Sequence, residues 1–258
     1  MDVGWCARIE HADRVKAMGF DFIEVALTPM DLEDDSSFAA AKAAIVSADL
    51  PRPVYNQFLP PGLPVIGPDV DAARVRRYLG RTADVIRLGG GQLVVFGSGW
   101  ARNVPAGWSR ADADRQFLEM IGWCVDVFAP FGVALALEPQ NTTETNYLTT
   151  LGEAVAVADT VHRPGVRVIA DTYHLHMEHE PLTEITSAFH QLAHVHVSDS
   201  GRHLPGDGAC DLRACFRHLH SLGYTQRLSI EMMRDVTDEE MRRGLTFVRT
   251  LWRDAALR

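Results

Sequence analysis

The chain has 258 residues, 47% of them hydrophobic and 23% charged, and a formal net charge of −9 at pH 7. That length fits one large domain or two small ones, with the composition of a globular protein that buries a sizeable core. The negative balance argues against a polyanionic partner such as DNA, and no apolar run approaches the ~20 residues that span a bilayer.

The opening MDVGWCARIEHADRV acquires charge too early for a signal peptide. Cys6, Cys124, Cys210 and Cys215 form no CxxC pair, so reduced thiols in the cytoplasm are expected rather than a zinc finger or a redox motif. Short β-branched runs follow in order. VGWCA (3–7), FIEVAL (22–27), PVYNQF (53–58) and LVVFGS (93–98) read as the first four strands. VALALEP (133–139), VRVIADTYH (166–174), AHVHVSD (193–199) and RLSIEMM (227–233) read as the last four.

Helical periodicity fills the intervals. Ser109 before Asp112 and Thr150 before Glu153 have capping-box spacing. Gly19, Gly132, Gly165 and Gly223 stand where a helix should stop before the next strand. The loops LPPGLPVIGPD and GSGWARNVPAGW are long and rich in Gly and Pro, as rims or lids are. Strands alternating with helices through a chain of about 250 residues predict a (β/α)₈ TIM barrel, a single domain over 1–258. An open doubly wound sheet competes, but no GxGxxG follows the first strand, and the GGG at 89–91 precedes a strand.

In such a barrel the chemistry sits at the C-terminal strand ends. Strand five ends in Glu138, strand six in Asp171 and strand eight in Glu231, while strand seven holds His196. Period-2 alternation puts Ala134, Ala136 and Glu138 on one side, as it does Ile169 with Asp171 and Ser229 with Glu231. Three carboxylates and an imidazole converging without a cation would repel one another. One divalent ion resolves the conflict, with Mn²⁺ the first choice and Mg²⁺ or Co²⁺ the alternatives. Taken singly, a Glu or Asp at a strand end is more often a cap or an ion-pair partner, and a lone inward His more often a hydrogen-bonded core residue; the conjunction on four consecutive strands is what points to a metal. His194, one step deeper, reads as support for the site or as core. His176 and His179 read as solvated, Cys210 and Cys215 as structural, and Asp199 and Asp207 as loop polarity.

These residues and their spacing resemble the xylose-isomerase-like superfamily of sugar isomerases and epimerases. Within it they are most similar to the D-tagatose, D-psicose (allulose) and L-ribulose 3-epimerase group. The resemblance implies a metal held by Glu138, Asp171, His196 and Glu231. It also implies substrate contacts from Glu144 in LEPQNTTETNYLTT, His174 in DTYH and Arg202 in HVSDSGR. The implied chemistry is epimerisation or isomerisation of a ketose through an enediolate, with Glu138 and Glu231 removing and returning the proton. The acidic start of RDVTDEEMRRG, which has no glycine nest, favours an unphosphorylated sugar; Arg102 is the residue that could serve an anionic group. The expected partner is a small-molecule sugar, with no nucleic acid and no membrane, and a homo-oligomer (dimer or tetramer) is left open. A keto-sugar or inosose dehydratase or lyase, or a hydroxypyruvate-type isomerase, would use the same scaffold. An endonuclease IV-type repair barrel would need more histidines and a basic rim.

Overall fold

The computed structural model describes residues 1–257. Parallel strands β1 (Val3–Ala7), β2 (Phe22–Ala26), β3 (Val54–Asn56), β4 (Leu93–Phe96), β5 (Ala134–Leu137), β6 (Val166–Asp171), β7 (Leu192–Val197) and β8 (Leu228–Ile230) follow one another around a closed barrel. Pairing of β1 with β8 closes the ring. Around it run α1 (Ala12–Ala17), α2 (Asp35–Ser47), α3 (Ala72–Leu88), α4 (Arg110–Phe128), α5 (Leu151–Val161), α6 (Thr172–Met177), α7 (Thr183–Ala188), α8 (Leu212–Ser221) and α9 (Asp238–Ala255). The predicted TIM barrel is therefore the observed one. The crossover from β6 to β7 holds two short helices where the sequence suggested one.

Two cores divide the apolar side chains. Phe22, Val54, Leu93, Val95, Ala136 and Ile169 pack inside the barrel and form its floor. The larger core lies between sheet and helices, where Phe58, Phe96, Phe117 and Tyr147 form a chain of tilted and edge-on rings. Burying one such side chain stabilises by roughly 1.5–3 kcal/mol. Gly4 pairs with Phe22 across β1 and β2, and a Cβ at Gly4 would collide with the Phe22 ring. The small residue on one strand thus makes room for the large one that plugs the floor.

Helix starts follow the sequence closely. Ser109 caps α4 and Thr150 caps α5, each accepting the N–H three residues on, at 3.0 and 3.2 Å. The Thr150 box is only half formed, because Glu153 accepts from Thr149 N–H at 2.7 Å instead. A reciprocal box forms at α9, where Thr237 and Glu240 bond each other's backbone. At helix ends Gly19, Gly132 and Gly223 adopt φ of 88°, 71° and 75°. Helix α5 departs from expectation: its cap is His162 at φ 48°, and Gly165 lies in the turn beyond.

The two long loops form a tied rim rather than free lids. Leu59 N–H donates to Ser98 Oγ at 3.0 Å, and Val65 N–H to the Ala101 carbonyl at 2.8 Å. Val104 N–H is held by Asn146 Oδ1 at 2.8 Å. Among the described residues no helix is long and apolar enough to cross a membrane.

Candidate active site

Strands β5 to β8 stop one after another, and a polar residue occupies each end. Glu138 follows β5 and Glu231 follows β8; each backbone N–H donates to the last residue of the neighbouring strand, to Phe96 O of β4 and to Val197 O of β7, both at 3.2 Å. Asp171 ends β6, and His196 lies within β7, 0% exposed. One ligand atom from each of Glu138, Asp171, His196 and Glu231 lies within 4.8 Å of all the others. Gly97 stands against this cluster, and a Cβ there would overlap the Glu138 carboxylate.

Asp171 shows how the backbone aims a carboxylate. It caps α6, and Oδ1 accepts the Tyr173 N–H at 2.7 Å. The other oxygen, Oδ2, is buried without a hydrogen-bond partner. An orphaned carboxylate oxygen costs free energy unless a cation or donor meets it.

His196 has a carboxylate on each ring nitrogen. Nε2 lies 2.8 Å from Glu24 Oε1; Nδ1 lies 2.8 Å from Glu138 Oε1 and 3.8 Å from Glu231 Oε2. Burial alone would strip a proton from this ring, yet Glu24, Glu231 and Glu138 together hold its pKa well above the imidazole range. Burial raises the Glu231 carboxyl to about 7, and the negative charges of Glu138 and Asp171 add to that rise. Glu138 moves the other way: burial opposes its ionisation, but the charge and hydrogen bond of His196, with the charges of His174 and Arg202, together outweigh it. The proton on Nδ1 is the smallest cation that reconciles the group. A divalent ion in its place would be bound by Nδ1 and three carboxylates, with Nε2–H donating to Glu24, the usual arrangement behind a metal-bound histidine. An oxygen-rich donor set of this kind suits Mn²⁺, Mg²⁺ or Co²⁺.

Glu24 went unassigned in the sequence, although FIEVA places it on the inner face with Phe22 and Ala26. It is 0% exposed and lies between two imidazoles, with His194 Nε2 2.9 Å from its Oε2. Burial opposes its ionisation, but the two histidines hold its pKa well below the carboxylate range. His194 therefore supports the site from below. A second group, Cys6 with Glu24 and His196, is equally compact. It suits a metal poorly: burial and then the Glu24 charge keep the Cys6 thiol protonated.

The other three expected residues meet at the same mouth. Arg202 Nη2 donates to both Glu144 oxygens at 2.9 and 3.0 Å, and Nη1 donates to Glu231 Oε2 at 3.2 Å. Its guanidinium lies 4.5 Å above the Tyr173 ring. His174 Nδ1 accepts the Asn141 N–H at 3.0 Å, which leaves the proton of a neutral ring on Nε2. That nitrogen stands 3.2 Å from Arg202 Nη2. Two donors this close call for a shared acceptor.

Arg102 corrects a sequence expectation. It is 0% exposed and donates to the carbonyls of Tyr147, Phe96 and Glu138 at 3.0, 3.1 and 2.8 Å. It ties the β4 and β5 loops together and has no room for an anionic ligand. Asp199 is likewise more than loop polarity. It is 1% exposed and accepts N–H bonds from Ser200, Gly206 and Cys210 at 2.9, 2.9 and 2.8 Å, shaping the loop that carries Arg202. Asp207 pairs with Arg243. His176 is half-buried and His179 exposed, both outside the cluster; Cys210 is half-buried and Cys215 buried. Asn56 adds one unforeseen polar group. It is 2% exposed, its Nδ2 lies 3.4 Å from Glu231 Oε1, and its Oδ1 has no partner.

Known proteins resemble the chain in sequence and in fold. The ketose 3-epimerase of Arthrobacter globiformis is 30% identical over 136 residues, 52% of this chain and 47% of that protein. An L-ribulose 3-epimerase of Methylomonas matches similarly, so the chain spans about half the length of these curated relatives. The 3-dehydro-D-guloside 4-epimerase of Escherichia coli is 28% identical over 231 residues, 81% of each chain. The solved 3-keto-D-glucoside 4-epimerase from E. coli shares the fold, with a TM-score of 0.81, 22% identity and coverage of 97% of this chain and 99% of that one. Residues 12–251 match the xylose isomerase-like TIM barrel model, and the chain belongs to that family.

Proposed function

We propose that the chain, taken as one barrel domain over 1–258, is a divalent-metal-dependent epimerase or isomerase of an unphosphorylated keto-sugar. The observation that carries this is the convergence of Glu138, Asp171, His196 and Glu231 within 4.8 Å at one barrel mouth. The names of the relatives, epimerases of ketoses and of a 3-dehydro-glycoside, point the same way.

Glu138, Asp171, His196 and Glu231 would hold the cation, for which Mn²⁺ is the first candidate. When bound, it supplies Lewis-acid stabilisation of the negative charge that builds on a substrate oxygen as a carbon-bound proton leaves. Glu138 and Glu231 flank the same imidazole nitrogen from strands on either side of β6 and β7. One takes the proton from the carbon next to the carbonyl; the other returns a proton to the opposite face. General acid–base help of this kind is worth roughly 10²–10⁴-fold. Arg202 and His174 Nε2–H hold the sugar oxygen between them, and Glu144 keeps Arg202 in place while accepting from a hydroxyl. Arg102, fully engaged with carbonyls, is not available to a phosphate, which supports the unphosphorylated reading.

The test is exchange in D₂O with Mn²⁺ and a panel of free ketoses. Proton transfer builds deuterium into product at the carbon beside the carbonyl. A product that remains protiated there after many turnovers would sink the two-glutamate mechanism, and a product of altered mass would identify a lyase.

A further inference from the structure

The mouth has two lobes, and the proposed chemistry uses one. The first, about 320 Å³, lies against the rim and is lined by Asn56, Trp100, Glu138 and Arg202 among others. The second, about 500 Å³, lies over β1 and β8, lined by Trp5, Ala7, Arg8 and Asp235 among others. Gln57, Glu231 and Met233 line both, so the two meet at a glutamate assigned to proton transfer. Sites for small organic ligands run from roughly 300 to 1,000 Å³. The first lobe is at the bottom of that range, as suits one monosaccharide. The second is larger and opens directly from it.

The chemistry of the second lobe narrows its occupant. Its arginines already face carboxylates: Arg8 is 3.6 Å from Glu10, Arg14 is 2.8 Å from Asp238 and Arg234 is 2.7 Å from Glu240. With Asp235 and Glu231 also on its walls, the lobe offers no excess positive charge to a phosphate or a carboxylate. What it does offer is hydrogen bonding from Gln57, Asp235 and His11, and apolar surface from Pro29 and from Met233, which is 60% exposed. Hydrogen-bonding groups beside apolar faces are what a neutral sugar unit presents in return, with hydroxyls at its edge and C–H bonds on its faces.

We infer that the lobe over β1 and β8 is a glycosyl subsite, and that the substrate is a keto-sugar carrying a second, neutral, polyhydroxylated unit. The inference rests on the epimerase reading for which end lies under Glu138 and Glu231, but the lobe itself is tested by binding alone. The probes are D-fructose and four disaccharides with a ketose end, turanose, lactulose, leucrose and isomaltulose, titrated calorimetrically into the Mn²⁺-loaded protein. At least one disaccharide should bind about ten-fold or more tighter than D-fructose. Asp235→Trp, at an exposed position that does not threaten the fold, and Ala7→Trp, at the end of β1, should each erase most of that advantage. No disaccharide advantage, or an advantage that survives both substitutions, would overturn the inference. Deuterium exchange read on the same samples separates the two claims. Tight disaccharide binding without exchange keeps the subsite and removes the epimerase; exchange on D-fructose without a disaccharide advantage does the reverse.

Discussion

His196 is the residue on which the rest of the site depends, because each of its nitrogens has a different task. Nδ1 faces Glu138 and Glu231, while Nε2 is fixed by Glu24 at 2.8 Å. Changing Glu24→Gln keeps an acceptor there but removes the charge that makes the ring a good donor of its lone pair. Partners of this kind are worth about 10–100-fold in metal affinity. A competition titration against a chelator should therefore show Mn²⁺ binding weakened by about that factor, and unchanged affinity would leave Glu24 a packing residue only. Arg202 and His174 should behave in the opposite sense. Neither supplies an atom to the four-residue cluster, so Arg202→Ala and His174→Ala should keep metal content near one ion per chain. A hydrogen bond to a charged group contributes about 1.5–3 kcal/mol, so turnover or KM should suffer by roughly 10- to 150-fold. Loss of metal from either variant would reassign it to the ligand set.

At the scale of elements, what the sequence discloses is whatever repeats locally. Alternation along β5 and β6 marks Glu138 and Asp171 as inward, since each continues an apolar face one step too far, and along β8 it puts Glu231 on the face of Ser229. Glu24 obeys the same parity in β2, but its partner His196 is 172 residues away, and nothing near Glu24 announces an imidazole. Arg102 failed for a related reason: its partners are carbonyl oxygens, which every residue has and no sequence pattern flags. Helix α5 shows the same limit at its start, where Glu180, from the segment after α6, accepts the Leu151 N–H at 3.0 Å. Burial raises the Glu180 carboxyl to about 7; the Leu151 bond opposes this, and Glu184, Glu178 and Glu153 add to it. A free glutamate titrates near 4.3, so here ionisation is harder in the folded state than in the unfolded one. The stability contributed by this group is full below about pH 4.3 and is lost as pH rises to about 7. Glu180→Gln should flatten the fall in Tm between about pH 5 and 7.5 relative to the parent. Parallel Tm curves over that window would show that Glu180 is free to ionise in place.

The whole molecule spends its apolar residues on a floor and an outer shell, and leaves the top of the barrel to acids. Phe22, Val54, Val95 and Ile169 close the barrel below, while Glu24, Glu138, Asp171 and Glu231 lie above, all nine-tenths or more buried. Such a layer strains the fold when no cation meets it: burial raises Glu231 to about 7, and the charges of Glu138 and Asp171 add to that rise. A cation bound by the native cluster and not by the unfolded chain must therefore stabilise the barrel. At a free concentration one hundred times Kd, the gain is about 2.7 kcal/mol. In a chain of this size each kcal/mol moves Tm by roughly 2–4 °C, so chelator-treated protein should gain about 5–10 °C on addition of Mn²⁺. Asp171→Asn should blunt that gain, because the amide cannot present a second anionic oxygen while Oδ1 caps α6. The readout needs no substrate, and it separates a cation site from a structural knot of hydrogen bonds. A folded, metal-stripped chain whose Tm ignores Mn²⁺, Mg²⁺ and Co²⁺ alike would mean that the proton on His196 is the only cation this cluster takes.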